Sequence, residues 1–138
     1  KSEPKKYSRP NLQNSRRLID KASSLEPYHL PTAKAVFYWR ASSFLHELLL
    51  SSSLTQNQRG EALLLIGVCY ENLSPFSVWT LDEAYYRQCI EVSGASDVRK
   101  KCFYRLENLV LGPPGFRLEN VPRDIQNELT VLRKKVFE

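Results

Sequence analysis

The chain has 138 residues, 42% of them hydrophobic and 25% charged, which is the composition of one globular domain with a buried core. Its longest apolar run, residues 62–70, is far shorter than a membrane-spanning helix, so the sequence excludes a transmembrane segment within the chain. The formal net charge of +5 belongs entirely to residues 1–21, which carry seven basic and two acidic side chains, while the rest is neutral overall.

The first 24 residues are predicted to form a basic, largely flexible N-terminal arm, which leaves residues 25–138 for the folded domain. Residues 1–10 hold two prolines and four basic side chains without hydrophobic periodicity, as solvated leaders do. Asn11 or Asn14 is placed to cap one short helix within the arm. The chain contains no methionine, so a signal peptide or lipid anchor lost from its N-terminus, and membrane association through those missing residues, stay open.

Two long helices are predicted next. Thr32 opens the first, which ends near Leu50 and has apolar residues at intervals of three and four. Thr55 or Asn57 starts the second, which runs to about Leu73 and is apolar nearly all round. Because a helix that is apolar on every side is buried on every side, this second segment is predicted to be the central helix of a bundle.

Two shorter helices follow a loop over residues 74–80. The first covers residues 81–92 and is expected to turn four residues toward the core: Ala84, Tyr85, Cys89 and Val92. The second is capped by Ser96 or Asp97 and ends near Leu111. Their lengths and the short connection between them predict an antiparallel pair.

A final helix is predicted at the C-terminus. The Gly112-Pro113-Pro114-Gly115 segment cannot stay helical and marks an exposed loop. Pro122, a favoured first helical residue, then opens a helix over about residues 122–136. No segment of the chain alternates polar and apolar residues over a strand's length, so the predicted fold class is all-α with five to six helices.

The spacing Leu63-x2-Ile66-Gly67-x2-Tyr70, followed on the next helix by Tyr86 and Cys89, makes residues 58–93 resemble a tetratricopeptide repeat. The first helix of that motif has the spacing W-x2-L-G-x2-Y, and the corresponding residues here are Leu63-x2-Ile66-Gly67-x2-Tyr70. Tyr86 and Cys89 are similar to the aromatic and small residues of the motif's second helix. A glycine at position 67 has a physical explanation, because its missing side chain lets the next helix approach closely. This packing offsets the helix-propensity cost of glycine, about 1 kcal/mol. The loop at 74–80 is longer than the tight turn of the family, and the flanking units are degenerate.

The resemblance implies a short right-handed array of stacked helical hairpins, closed by the helix at about 122–136. It also implies a non-catalytic adaptor or scaffold that binds a partner protein or peptide in a groove lined by the first helix of each hairpin, without a cofactor. The residues beside the buried stripes of those helices form the expected partner-binding set: Glu61, Leu64, Val68, Glu71, Lys101, Tyr104 and Asn108. Phe76 and Trp79, in the loop, either fold back onto the hairpin or contact a partner.

Other functions have weaker motifs. His46-Glu47 begins like the zinc-protease helix H-E-x-x-H, but Leu50 occupies the position of the second histidine, so neither a metal site nor catalysis is expected. A nucleic-acid-associated helical protein would use the basic arm with Tyr7 and Arg87, whereas the cluster Arg99-Lys100-Lys101 is short and typical of a solvated helix. A membrane-tethered structural subunit of a cell-envelope complex is the main alternative to a free adaptor.

Three cysteines are spaced poorly for zinc and are predicted to be small core residues: Cys69, Cys89 and Cys102. A Cys69–Cys89 bridge between neighbouring helices stays open, and the odd number leaves at least one thiol free in a monomer. Free thiols fit the cytoplasm better, whereas an arm preceding a folded domain favours a bacterial envelope protein, in the periplasm or as a lipoprotein. The compartment is therefore left undetermined.

Overall fold

The computed structural model describes residues 10–25, 31–76, 80–94, 96–112 and 118–138. These ranges contain six α-helices and no strand, which confirms the all-α prediction: α1 (Leu12–Ser24), α2 (Pro31–Leu49), α3 (Gln56–Leu73), α4 (Leu81–Val92), α5 (Asp97–Leu111) and α6 (Arg123–Phe137). Consecutive helices pack against each other, and α3 also contacts α1 and α5. Within the described ranges, no helix has the length and apolar character needed to cross a membrane.

Side chains close the N-termini of three helices. Asn11 accepts a hydrogen bond from the Asn14 backbone at 2.7 Å and caps α1. Thr55 and Gln58 form a reciprocal capping box at the start of α3, and Ser96 caps α5. Each of these caps is one of the two residues predicted for its helix. Pro122 lies at the N-cap of α6 rather than at its first helical position.

Two arginines close the C-termini of helices. The Arg59 guanidinium donates to two carbonyl oxygens at the end of α2, that of its last residue, Leu49, at 3.0 Å and that of Ser51, two residues later, at 3.1 Å. Arg99 donates in the same way to the Ile90 carbonyl of α4 at 2.9 Å. Each arginine lies in the first turn of the next helix, so it satisfies carbonyls that the preceding helix leaves without intrahelical partners. The sequence alone does not predict these contacts.

The core divides into two clusters that share α3. The first lies among α1, α2 and α3, and its fully buried residues include Leu18, Ala22, Ala41, Leu45, Ala62, Ile66 and Cys69. The second lies among α3, α4, α5 and α6, and its fully buried residues are Tyr86, Cys89, Ile90, Cys102, Phe103 and Leu106. The predicted central position of α3 is therefore confirmed. Residues 12–24, predicted as part of the arm, form α1 and contribute to the first cluster.

The face that α4 turns inward differs from the prediction. Ala84 is exposed and Tyr85 is half-buried, whereas Tyr86 and Ile90 are buried together with Cys89. Gly67 of α3 explains this orientation, because a β-carbon built there would lie 2.6 Å from Cδ1 of the Tyr86 ring. Only a residue without a side chain leaves room for the ring, so the predicted close approach at Gly67 is confirmed.

A disulfide joins Cys89 of α4 to Cys102 of α5, with their Cα atoms 6.1 Å apart. The Cys69–Cys89 pairing left open by the sequence is wrong, because Cys69 belongs to the first core cluster and Cys89 to the second. Cys69 is a free, buried thiol. Burial raises the pKa of this thiol from 9.0 to about 12.

This arrangement predicts the reactivity of the three cysteines. In the native, oxidised protein no thiol is expected to react with a disulfide reagent at neutral pH, because Cys69 is buried and protonated. Denaturant alone should expose one thiol, and denaturant with reductant should expose three. More than one reactive thiol in the unreduced, denatured chain would contradict the disulfide.

The same thiol predicts a loss of stability in alkali. The folded protein keeps the Cys69 proton up to about pH 12, whereas the unfolded chain releases it near pH 9.0. The thiol therefore favours the folded state fully below pH 9.0 and progressively less above it. Urea denaturation across this range should show a shallower decline for Cys69→Ala than for the native chain. An identical decline in both proteins would contradict the assignment.

Candidate partner-binding groove

Helices α1, α3 and α5 border an open groove with a volume of about 400 Å³. Eight residues line it: Ile19, Leu64, Leu65, Val68, Lys101, Tyr104, Arg105 and Asn108. One comes from α1, three from α3 and four from α5. The groove therefore runs across every second helix of the chain up to α5.

Five of the nine residues predicted to bind a partner lie together in this lining: Leu64, Val68, Lys101, Tyr104 and Asn108. The helical period brings them together, because positions three and four residues apart share a face. Leu64 and Val68 are one turn apart on α3, and the other three follow the same spacing along α5. Their role in binding stays a prediction.

The prediction missed three residues of the lining. Ile19 is absent from the predicted set because residues 1–24 are predicted to form the arm. Leu65 lies on α3, whose apolar residues surround the helix and give no preferred direction. Arg105 follows Lys101 at the one-turn spacing of α5, so this spacing is a signal that could have identified it.

Glu61 and Glu71 lie beside the groove without lining it. Glu61 accepts from Nε of Arg16 at 2.8 Å, and this ion pair joins α1 to α3. Glu71 accepts a hydrogen bond from the buried Tyr86 hydroxyl. Burial, together with this hydrogen bond, raises the pKa of Tyr86 above its usual range. Both carboxylates therefore have partners within the fold.

The floor of the groove is apolar, and its α5 side is aromatic and basic. The α3 residues of the lining are half-buried, whereas Tyr104 is 49% exposed. The Tyr104 ring lies 5.6 Å from the Phe137 ring and 6.1 Å from the Phe103 ring, centre to centre. A ring packed on two others while half its surface faces solvent is suited to contact a partner's apolar side chain.

Phe76 and Trp79, the remaining two predicted residues, cannot be placed beside the groove. Trp79 and the side chain of Phe76 lie outside the described part of the structure, as do residues 1–9 of the arm and most of the loop at 112–115. The two alternatives for this aromatic pair, packing or partner contact, therefore stay predictions.

Charged pairs join α6 to the rest of the bundle. Arg87 of α4 binds Glu128 of α6 as well as its own-helix neighbour Glu83. Lys135 of α6 donates to Glu91 of α4 at 2.6 and 2.8 Å. These two ion pairs therefore tie α6 to α4.

His46 is half-buried and its Nε2 atom lies 3.2 Å from the Tyr70 hydroxyl. The rings of Tyr70 and Tyr85 stack at 5.4 Å beside it. In the part of the chain that the structure describes, no group of three His, Cys, Asp or Glu side chains is placed to hold a metal ion. His46 thus packs in an aromatic cluster formed by α2, α3 and α4.

No protein-family model, curated protein or solved structure matches this chain. The tetratricopeptide resemblance of residues 58–93 therefore stays a prediction from motif spacing. Functional inference depends on the groove and on the contacts of its own residues.

Proposed function

We propose that the chain is a non-catalytic adaptor or scaffold domain that holds a segment of a partner protein in the groove. The observation that carries this proposal is the composition of the groove, in which an apolar floor is bordered by the half-exposed Tyr104 and by long polar side chains of α5. Apolar contacts surrounded by polar groups are typical of protein interfaces.

Repeated contacts support a tetratricopeptide-like array as the scaffold of this groove. Arg59 of α3 and Arg99 of α5 each lie near the start of their helix and donate to a carbonyl near the end of the preceding helix. Two ion pairs join α4 to α6, Arg87–Glu128 and Glu91–Lys135. Residue numbers increase in the same direction along both helices from the first pair to the second, so the helices run parallel. Parallel second helices and a groove lined by α1, α3 and α5 are what stacked hairpins produce.

The chemistry of the lining also favours binding over catalysis. Its polar side chains are a lysine, an arginine, an asparagine and a tyrosine. Acid–base and nucleophilic catalysis depend on a positioned base beside a nucleophile or a substrate proton, most often an imidazole or a carboxylate. The lining is therefore better suited to binding than to catalysis.

Site-specific cross-linking tests the proposal. A photoreactive phenylalanine derivative would replace Tyr104 in the whole chain, with Trp39 of α2 as the matched position because it is 54% exposed and lies outside the groove lining. Position 104 is expected to form a discrete adduct with a protein from cell extract, and position 39 is not. Equal adducts at both positions, or an adduct that nuclease removes, would contradict the adaptor function.

The pair Tyr104→Ala and Trp39→Ala gives a further prediction. Both side chains are about half exposed, so both variants are expected to keep a melting temperature close to that of the native chain. Only Tyr104→Ala should weaken capture of the cross-linked partner, by about tenfold if the ring is an interface anchor. Equal capture by the two variants would place the interface elsewhere.

A further inference from the structure

The described lining of the groove carries two cations, Lys101 and Arg105, and no carboxylate. Lys101 is exposed and has no ion-pair partner among the described residues, and no carboxylate belongs to the described lining. Arg105 forms a long ion pair with Glu71, whose carboxylate lies 3.6 Å from Nη1 and too far for a hydrogen bond. That carboxylate already accepts from Tyr86. Two cations therefore face the groove with donors available.

Several cations elsewhere on the bundle are paired with carboxylates. Arg16 binds Glu61 beside the groove, and Arg133 of α6 binds Glu107 of α5. Arg87 has two carboxylate partners. The lining is therefore positive on its α5 side, although the sequence that follows residue 21 is neutral overall.

We infer that the occupant of the groove is an acidic amphipathic segment of another protein. Its apolar side chains would lie on Leu64, Leu65 and Val68, and its Asp or Glu side chains would pair with Lys101 and Arg105. The two cations are one turn apart on α5, about 6 Å between their β-carbons, which suits two carboxylates on neighbouring turns or alternate positions of a peptide. This inference rests on the proposed adaptor function and specifies the chemistry of its partner.

The apolar floor distinguishes this partner from a nucleic acid or a phosphate-rich surface. A phosphate backbone is bound by several lysines and arginines that follow its charges. Here two cations stand at one side of an apolar strip, so most of the groove would contact a phosphate backbone unfavourably. A segment with separate apolar and acidic sides pairs with both parts of the lining.

A random-sequence peptide library displayed on phage tests the inference. The whole chain serves as bait, and peptides that still bind Tyr104→Ala are discarded so that only groove-dependent binders remain. These peptides are expected to combine apolar residues with an excess of Asp and Glu. Synthetic copies in which the acidic residues become Lys should bind more weakly, and high salt should weaken the acidic copies.

Charge reversal on α5 provides the matched comparison. Lys101→Glu should weaken the selected acidic peptides about fivefold, as expected for loss and reversal of a solvent-exposed ion pair. Lys100→Glu is the control, because Lys100 is an exposed neighbour on the same helix that does not line the groove. It should change affinity little. The Lys-substituted peptides should gain affinity for Lys101→Glu.

The outcomes separate this inference from the proposed function. Groove-dependent peptides that are neutral or basic, or equal losses in Lys100→Glu and Lys101→Glu, would overturn the acidic partner while leaving the adaptor function in place. A library with no groove-dependent binder would overturn both. Binding of random-sequence single-stranded RNA that is lost in Lys101→Glu would overturn the inference in favour of a phosphate backbone.

Discussion

Replacing Cys89 and Cys102 together by alanine is expected to lower the free energy of unfolding by about 3 kcal/mol, because the bond closes a short loop in the unfolded chain. The two residues are 13 positions apart and both are fully buried. The bond also fixes α5 against α4, and α5 carries four of the eight residues that line the groove. Urea denaturation of the oxidised native chain and of the double variant measures the difference.

Two controls isolate the bond itself. Reduction of the native chain removes the covalent link without deleting buried atoms, so it should account for most of the loss. Cys69→Ala keeps the disulfide and loses only a buried sulfur atom, and its smaller loss gives the cost of truncating a core cysteine. If reduction leaves the denaturation midpoint unchanged, the bond does not stabilise this fold.

Local signals in the sequence were sufficient to predict the helices. The prediction for α4, residues 81–92, coincides with its observed bounds. The N-termini of α3 and α5 follow from the N-caps at Thr55 and Ser96. Capping depends on a side chain and a backbone group three residues apart, so it can be read from a single sequence. The all-α class followed from the same periodicity.

Contacts between helices could not be predicted in the same way. The orientation of α4 depends on the packing of Tyr86 against Gly67, and the disulfide depends on which core cluster each cysteine faces. Both are properties of helix pairs. The arginine contacts at the ends of α2 and α4 also join residues eight to ten positions apart across a turn, and no propensity scale records such pairs.

The groove was partly predictable because its walls are helical faces. Residues one turn apart on α3 and α5 stay neighbours whatever the tertiary arrangement, which is why Leu64 with Val68 and Tyr104 with Asn108 appear together. The contribution of Ile19 required knowing that α1 packs on α3. The charge of the groove required knowing that Glu61 and Glu71 have partners within the fold.

Gly67→Val is expected to destabilise the fold by about 3 kcal/mol, at the upper end of the usual cost of overpacking a core. The Tyr86 ring is fully buried and its hydroxyl is held by Glu71, so the ring cannot move aside. Alanine at this position tests whether the change in stability is a gain or a loss. Replacing an exposed helical glycine by alanine raises the free energy of unfolding by about 1 kcal/mol. Gly67→Ala should instead lower it by about 1 kcal/mol because of the clash with the ring.

A double-variant cycle shows whether the ring is the cause. If the clash with Tyr86 dominates, combining Gly67→Val with Tyr86→Leu should cost less than the sum of the two separate losses, by about 1–3 kcal/mol. Ala84→Val, at an exposed position of α4, is the control for β-branching and should cost well under about 1 kcal/mol. Additive losses, or a stabilised Gly67→Ala, would mean that Gly67 is not what allows α3 and α4 to approach. In that case the glycine of the tetratricopeptide-like motif would have no packing role in this chain.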